Sequence, residues 1–211
     1  MTSDDLYGDR PFSGLERRDP SPGCLLVAAP DMGAPEFARS VVFVIDHDAT
    51  GTLGVDLSRR SDMPVINVLE DWAHLMAKPL VVHLGGPVNP TQPICLAVVA
   101  PGHELSEEPR EDLDGAPAAQ RLDGRFAIVN LGAEPEEFEG TIDGARLFAG
   151  YAGWGPGQLH DELERGDWLV APALPSDLLA PAGVDVWGDV MRRQTWPLPL
   201  YATHPGDVRE N

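Results

Sequence analysis

The chain has 211 residues, of which 34 are Asp or Glu and 15 are Lys or Arg, so its formal net charge at pH 7 is −19. An apolar content of 43% is typical of a globular domain, whereas so negative a charge repels nucleic acid and anionic lipid surfaces. The composition therefore predicts one folded domain and argues against direct contact with nucleic acid or membranes.

Most of the predicted elements are strands. Residues 1–22 are polar and contain three prolines, which predicts a tail that is disordered or loosely docked on a single domain of residues 23–211. Within that domain, short apolar runs between turn residues predict eight strands: Leu25–Ala28, Val41–Ile45, Leu53–Leu57, Leu80–Leu84, Ile94–Val99, Phe126–Leu131, Arg146–Tyr151 and Trp168–Pro172. The second of these is apolar on both faces, which predicts a central position in the sheet.

Helical patterns are fewer. The apolar spacing over Val65–Ala77 predicts a helix that ends before Pro79. Short helices are also expected from Pro156 to Gly166 and roughly from Asp185 to Gln194, with an extended segment at 197–201. Because strands mostly follow strands through short turns, the pattern favours an α+β fold over a doubly wound parallel sheet.

Residues 103–120 hold six carboxylates together with Pro109, Gly115 and Pro117. This composition predicts an exposed, mobile acidic loop, with a functional acidic segment as the alternative.

The two cysteines, Cys24 and Cys95, each lie in an apolar run without a second cysteine or a histidine cluster nearby. They predict two buried reduced thiols and neither a zinc site nor a redox pair. The amino terminus has no apolar signal-like run, and the apolar runs are too short to span a bilayer. We therefore expect a cytoplasmic protein.

The first candidate site combines two aromatic residues, Tyr151 and Trp154, with Gln158 and Glu162. Gln158 and Glu162 are four residues apart on a predicted helix and so point the same way. Aromatic rings beside an amide and a carboxylate suit a small polar ligand or a partner's backbone. The alternative is structural, in which Gln158 and Glu162 hold the glycine-rich loop while the aromatic rings fill the core.

A second candidate is the Gly85-Gly86-Pro87 run. Its backbone N–H groups could approach an anion, but the spacing fits no nucleotide-binding motif and no lysine follows. A tight turn between two strands explains the run better.

Two charged positions complete the candidates. Arg39 enters an apolar segment and needs a partner, for which the carboxylate of Glu162 is one choice. His47 lies between Asp46 and Asp48, but neighbouring side chains on an extended backbone diverge and could not easily share one metal. No serine shows a hydrolase pattern. We predict no metal site and no cofactor.

Several runs occur together in a characteristic order: Phe37-Ala38-Arg39-Ser40-Val41-Val42-Phe43, His47, Gly51 and Gly54, Leu84-Gly85-Gly86-Pro87-Val88, Gly150-Tyr151-Ala152-Gly153-Trp154, Gly157-Gln158-Leu159, Glu162 and Trp168-Leu169. They resemble the AlgH/YqgE family of bacterial proteins, and the end of the chain from Thr203 resembles its actinobacterial members. The resemblance implies a mostly antiparallel sheet bent into a small barrel-like core and flanked by helices. It implies no settled activity; one branch is named for a regulatory effect on alginate production and described as a transcriptional regulator.

The chain departs from the family pattern at one corner. Where family members continue into an apolar strand ending in Asn-Arg/Lys-Pro, this sequence has Ser58 in place of the Asn, Arg60 in place of the Pro, and Asp56 within the strand. Any ligand site that this corner shapes in the family is therefore in doubt here.

Our leading hypothesis is a non-enzymatic regulatory or adaptor protein that binds a protein partner or a small ligand through the loops around 151–162 and 85–87. The first alternative is an enzyme acting on a small polar metabolite, with Glu162 as general base and His47 or Arg39 nearby. A regulator contacting nucleic acid is the second, which the net charge disfavours. The assembly is expected to be a monomer or a homodimer.

Overall fold

A computed structural model describes residues 18–203. Within them, ten strands form a curled, mostly antiparallel sheet: β1 Cys24–Ala28, β2 Val41–Asp48, β3 Gly51–Asp56, β4 Arg60–Pro64, β5 Val81–Leu84, β6 Val88–Val99, β7 Ala119–Arg121, β8 Phe126–Val129, β9 Ile142–Trp154 and β10 Trp168–Pro172. The helices are α1 Gln158–Glu164, α2 Pro175–Leu178 and α3 Val186–Arg192. The sheet bends into a half-barrel, so the predicted α+β class is confirmed. Of the predicted tail 1–22, residues 1–17 lie outside the described residues.

The strand order is β10-β1-β2-β3-β9-β6-β8-β7, with β5 added parallel to β9 and β4 paired to β5. Strand β9 is 13 residues long and joins the two halves of the sheet. Its first part pairs with β6, for example Leu147 with Cys95, and its last three residues pair with β3, ending at Trp154 opposite Thr52. Strands β2 and β3 form an antiparallel hairpin, which carries a bulge between Val44 and Asp46.

Both faces of the sheet are covered, as the sequence of β2 predicts. Val41 and Phe43 face the core cluster that includes Trp187 of α3, whereas Val42 faces the cluster that includes Leu159 of α1. The indole N–H of Trp187 donates a buried hydrogen bond of 2.8 Å to the carbonyl of Ala28 in β1. Strand β2 lies between β1 and β3, which confirms its predicted central position.

The predicted helix over Val65–Ala77 is wrong. The segment forms two 3₁₀ turns, Val65–Asn67 and Ala73–Leu75, and its apolar residues do not share one buried face, because Ile66 and Val68 are both exposed. These two residues are β-branched and lose side-chain freedom in a helix, which weakens helix formation here.

The extended segment predicted at 197–201 is also wrong, because Leu198–Thr203 forms a 3₁₀ helix with Leu198 buried. The fixed φ of proline fits a helical turn as well as an extended chain. The sequence patterns also missed β4, β7 and α2. Each of the eight predicted strands is found, with shifted ends, and the helix ending before Gly166 and the helix near 185–194 are confirmed.

The acidic segment 103–120 is attached to the domain at defined points. Arg110 donates to both carboxylate oxygens of Glu137 at 2.7 Å and to Asp112 at 2.6 Å. Leu113 is buried in the cluster beneath it, and Ala119 begins β7.

Helices that are long and apolar enough to cross a membrane do not occur between residues 18 and 203.

Candidate functional site

The carboxylate of Glu162 is the centre of a hydrogen-bonded cluster between α1 and the sheet. Its Oε2 accepts the indole N–H of Trp154 and that of Trp168, each at 2.8 Å. Its Oε1 accepts from Gln158 Nε2 at 2.9 Å, and Gln158 Oε1 accepts the backbone N–H of Gly155 at 3.1 Å. The two indole rings pack edge to face with centroids 5.7 Å apart. These contacts fix the loop before α1, in keeping with the structural alternative considered for Gln158 and Glu162.

Trp168 was not among the predicted site residues. It lies on β10, six residues after Glu162, and nothing in the sequence indicates that its indole N–H turns back to the helix. The two indole rings together make Glu162 an acceptor for buried donors and leave its carboxylate little freedom to move.

Tyr151 and Trp154 lie near each other but do not present their side chains on one face of the strand. Both lie on β9, and residues three apart on a strand point to opposite faces. The indole N–H of Trp154 is directed to Glu162 of α1. Both residues nevertheless line a further depression of about 340 Å³ beside Asp46 and Asp48. There the Tyr151 hydroxyl accepts a hydrogen bond of 3.3 Å from Asn89.

The Gly85-Gly86-Pro87 run connects β5 to β6 and passes very close to β9. A Cβ on Gly85 would lie 2.2 Å from the carbonyl oxygen of Gly150, and one on Gly86 would lie 2.2 Å from the carbonyl carbon of Tyr151. The N–H of Gly85 already donates to Ala149 at 2.9 Å. The glycines are therefore explained by the close approach of two backbones.

Arg39 does not form the predicted pair with Glu162. Its Nη2 lies 2.5 Å from Asp185 Oδ2, and its guanidinium lies 4.2 Å from the ring centroid of Trp187. The reason is that the start of α3 packs against the start of β2, while Glu162 is bonded to two indoles and an amide on the opposite side of the sheet. His47 interacts across the β2–β3 hairpin, with Nδ1 2.7 Å from Thr52 Oγ1.

Two depressions flank the 3₁₀ turn Pro35–Phe37, and Glu36 and Phe37 line both of them. The first has a volume of about 190 Å³ and is also lined by Asp56, Arg59, Leu84, Gly86 and Pro87. The second has a volume of about 390 Å³ and is also lined by Trp154, Gln158, Glu162, Arg165 and Asp167. Five of the predicted candidates thus border two neighbouring depressions.

Asp56 lies in the lining of the first depression and is itself only 1% exposed. Its Oδ2 accepts the hydroxyl of Ser40 at 2.6 Å, and its Oδ1 accepts the backbone N–H of Ser58 at 2.8 Å. Arg59 Nε is 3.4 Å from Oδ2. Burial raises the pKa of Asp56, against the opposing effect of these hydrogen bonds. Asp56 and Ser58 both depart from the family pattern in the sequence, and in the structure they are hydrogen-bonded to each other.

A second buried polar pair joins β5 to β9. Arg146 Nη1 lies 2.5 Å from His83 Nε2, and Arg146 Nη2 donates to the carbonyl of Ala180 at 3.0 Å. Burial and the neighbouring guanidinium lower the pKa of His83 to about 3. Burial and the charge of Arg60 lower the pKa of Arg146 to about 10. The sequence gives no signal for this pair, whose members are 63 residues apart.

Clusters of three or more His, Cys, Asp or Glu side chains placed to hold a metal ion are not found in residues 18–203. Cys24 and Cys95 are unpaired, and burial raises the pKa of Cys95 to about 12.

Comparison with known proteins agrees with this fold. A sequence model of the AlgH-like family matches residues 25–199. A UPF0301 protein of Corynebacterium efficiens is 51% identical over 207 residues, covering 98% of this chain and 99% of the relative. A UPF0301 protein of Mycolicibacterium smegmatis is 45% identical over 190 residues, with 90% of each chain covered.

Similarity extends to solved structures. The crystal structure of a protein from Corynebacterium diphtheriae superposes with a TM-score of 0.85 at 49% identity, covering 93% of this chain and 99% of that one. The solution structure of AlgH from Pseudomonas aeruginosa superposes with a TM-score of 0.60 at 23% identity, covering 92% and 100%, which shows a shared fold. With a family match over most of its length and actinobacterial relatives near half identity, the chain belongs to the AlgH-like family of UPF0301 proteins.

Proposed function

We propose that this protein is a cytoplasmic, non-enzymatic regulatory or adaptor protein that binds a protein partner across the two depressions flanking Pro35–Phe37. The observation that carries the proposal is the shared border of the depressions. Gly86 and Pro87 line one of them, Trp154, Gln158 and Glu162 line the other, and Glu36 and Phe37 line both. Residues from four separate parts of the chain therefore contribute to one surface.

The character of the two depressions suits an extended peptide segment. The first is small and largely apolar, with Leu84, Pro87 and Phe37 in its lining, and would take one apolar side chain. The second is larger and polar, with Gln158, Arg165 and Asp167 in its lining, and would take backbone or polar groups. Extended peptides are commonly recognised in this way, through pockets for alternate side chains along a main-chain track.

The enzyme alternative has less support. A general base needs a proton acceptor within hydrogen-bond reach of a substrate, but both oxygens of Glu162 already accept hydrogen bonds from side chains of the domain. The other two groups contact residues away from Glu162, because Arg39 pairs with Asp185 and His47 interacts with Thr52. A net charge of −19 disfavours direct nucleic-acid binding.

The test uses Glu36→Arg, because Glu36 is exposed and lines both depressions. Within residues 18–203 its side chain forms no hydrogen bond or ion pair that the change would remove. Glu104→Arg, an equal charge change at an exposed position in neither lining, is the control. Immobilised wild type and variants are incubated with lysate of a related Corynebacterium, and captured proteins are quantified. We expect wild type and Glu104→Arg to capture one specific protein that Glu36→Arg does not capture. The three proteins should have the same melting temperature.

Equal capture by Glu36→Arg would reject this surface. A parallel thermal-shift screen against metabolites and nucleotides separates the two kinds of partner. A ligand at a hundred times its Kd adds about 2.7 kcal/mol to the free energy of unfolding and so raises the melting temperature. If a compound raises the melting temperature of wild type but not of Glu36→Arg, the surface binds a small ligand and the proposal of a protein partner is wrong.

A further inference from the structure

We propose that Arg60, His83 and Arg146 form a binding site for a small oxyanion of the phosphate class. The three residues lie on the neighbouring strands β4, β5 and β9. They are outside the linings of both depressions that flank Pro35–Phe37. The site is therefore separate from the proposed partner-binding surface.

The two guanidiniums converge on the same stretch of chain. Arg60 Nη2 donates to the carbonyl of Pro181 at 3.1 Å, and Arg146 Nη2 donates to the carbonyl of the preceding residue, Ala180, at 3.0 Å. His83 lies opposite Arg60 in the β4–β5 pair, where side chains share one face, and its Nε2 is 2.5 Å from Arg146 Nη1. Burial is the main cause of the lowered pKa values of His83 and Arg146, and the charge of Arg60 is a further cause of both.

The positive charge of this cluster is not compensated within residues 18–203. The carboxylates there form no ion pair with Arg60 or Arg146, although the chain has 34 Asp and Glu against 15 Lys and Arg. His83 adds no negative charge, and Arg146, with a pKa of about 10, is protonated at pH 7. Arg146 is only 3% exposed. Because a buried charge is costly unless it is paired, the cluster favours a bound anion.

Unused hydrogen-bond donors identify the class of anion. The Nε atoms of Arg60 and Arg146 are both buried, and within residues 18–203 neither has an acceptor. Arg193 also has an unused Nε, but its charge is paired with Asp177. An oxyanion supplies acceptor oxygens and negative charge together, and guanidinium N–H groups suit its geometry. A phosphate group, which carries about −1.5 to −2 charges at pH 7, matches two guanidiniums better than a carboxylate does.

Arg60 provides the route from solvent. It is the half-buried member of the cluster and lies on β4, which within residues 18–203 pairs only with β5. In the same part of the chain its side chain forms one hydrogen bond, to the carbonyl of Pro181. Rotation of this side chain would let an anion enter between the two guanidiniums while Arg146 and His83 stay in place.

The experiment adds inorganic phosphate to the full chain in a chloride buffer of constant ionic strength. Wild type is compared with Arg60→Gln and with Arg192→Gln, which removes the same charge at an exposed position on α3. We expect the melting temperature of wild type and Arg192→Gln to rise by about 5–10 °C at a hundred times the Kd. Arg60→Gln should bind phosphate at least about 10-fold more weakly in isothermal titration calorimetry, because a hydrogen bond between charged groups is lost.

A conservative variant separates charge from geometry. Arg60→Lys keeps the positive charge but loses the planar set of donors, so its affinity for phosphate should lie between those of wild type and Arg60→Gln. Circular dichroism melting confirms that each variant is folded, and Arg60→Lys carries the test if Arg60→Gln is not.

A second probe, glycerol 3-phosphate, identifies the source of the phosphate group. Binding at least as tight as that of inorganic phosphate would indicate a phosphorylated metabolite, and binding of inorganic phosphate alone would indicate the free ion. Equal melting shifts in wild type and Arg60→Gln would reflect the general stabilising effect of phosphate and would overturn the proposal. So would the absence of any shift at millimolar concentrations of both probes. Partner capture by Glu36→Arg is scored separately, so each proposal can fail alone.

Discussion

Arg146 and His83 form a hydrogen bond of 2.5 Å between a guanidinium Nη1 and an imidazole Nε2 in the interior of the domain. His83 is 0% exposed and Arg146 is 3% exposed. Only a neutral imidazole offers an acceptor nitrogen, so the ring must be unprotonated for this bond to exist. The buried guanidinium is thus held by a neutral ring and by the carbonyls of Lys78 and Ala180, and no carboxylate within residues 18–203 forms an ion pair with it.

The first prediction is a loss of stability on mild acidification. The pKa of His83 is about 3 when folded and about 6.5 in an unfolded chain. Between these values the unfolded state binds the extra proton, so the free energy of unfolding falls as the pH falls below about 6.5. One such proton gives a slope of up to about 1.4 kcal/mol per pH unit. Urea unfolding between about pH 7.5 and pH 5, above the ordinary range of exposed carboxylates, measures it. Asp56, whose pKa burial raises, would change the stability in the opposite direction.

His83→Gln tests the assignment, because the glutamine carbonyl can still accept from Arg146 but does not titrate. We expect its stability to vary less over this pH range. His47→Gln, at a half-buried position on the hairpin, should retain the wild-type slope. An unchanged slope in His83→Gln would show that another group is responsible.

The second prediction concerns the carboxylate that joins α1 to the sheet. Glu162→Ala removes the acceptor of both Trp154 and Trp168, two buried rings whose N–H groups then lack a partner. A buried donor left unsatisfied costs about 1–3 kcal/mol, so we expect a loss of about 2–4 kcal/mol in urea unfolding.

Asp161→Asn, an exposed change on the same helix, should stay within about 0.5 kcal/mol of wild type. An unchanged free energy of unfolding in Glu162→Ala would mean that water replaces the carboxylate as acceptor. Glu162 would then be a candidate for ligand binding or catalysis instead of a structural residue.

The strands and the faces of the sheet could be predicted from the sequence because their signals are local. Val41–Ile45 is apolar on both faces, and the structure covers both. The helix predicted over Val65–Ala77 is absent. The apolar spacing there matches a helical repeat, but spacing does not show which side chains are buried, and Ile66 and Val68 are in fact exposed. Had the predicted strand been extended to Trp154, strand alternation would have placed the side chains of Tyr151 and Trp154 on opposite faces.

The polar pairs could not be predicted. Ser40 meets Asp56, and Arg146 meets His83, only because distant strands become neighbours in the folded sheet. A single sequence records which residues alternate along a strand but not which strands are adjacent. The departure at Asp56 was visible in the sequence, yet its partner Ser40 was not.

The third prediction follows from the crossing of the β5–β6 connection over β9. Gly85→Ala would place a Cβ 2.2 Å from the carbonyl oxygen of Gly150, and neither backbone can give way without breaking the bond from Gly85 N–H to Ala149. We expect a loss of at least about 2 kcal/mol, in the range of overpacked interiors. Gly33→Ala, where no atom lies within 4 Å of the added carbon, is the control and should be near neutral. A tolerated Gly85→Ala would show that the connection can shift away from β9.

The fourth prediction concerns the ion pair that ties α2 to the end of α3. Asp177 is buried and accepts from Arg193 through both oxygens at 2.6 Å, and it also accepts the N–H of Leu174 at 2.7 Å. Removing one partner leaves the other charge unpaired, so Asp177→Leu and Arg193→Met should each cost about 3–5 kcal/mol.

The double variant should cost less than the sum of the two, because no unpaired charge remains in it. Urea unfolding of the four proteins gives the coupling free energy directly. Additivity within about 0.5 kcal/mol would show that the two charges act independently, and the attachment of α2 would then rest on the packing of Leu178 in the core.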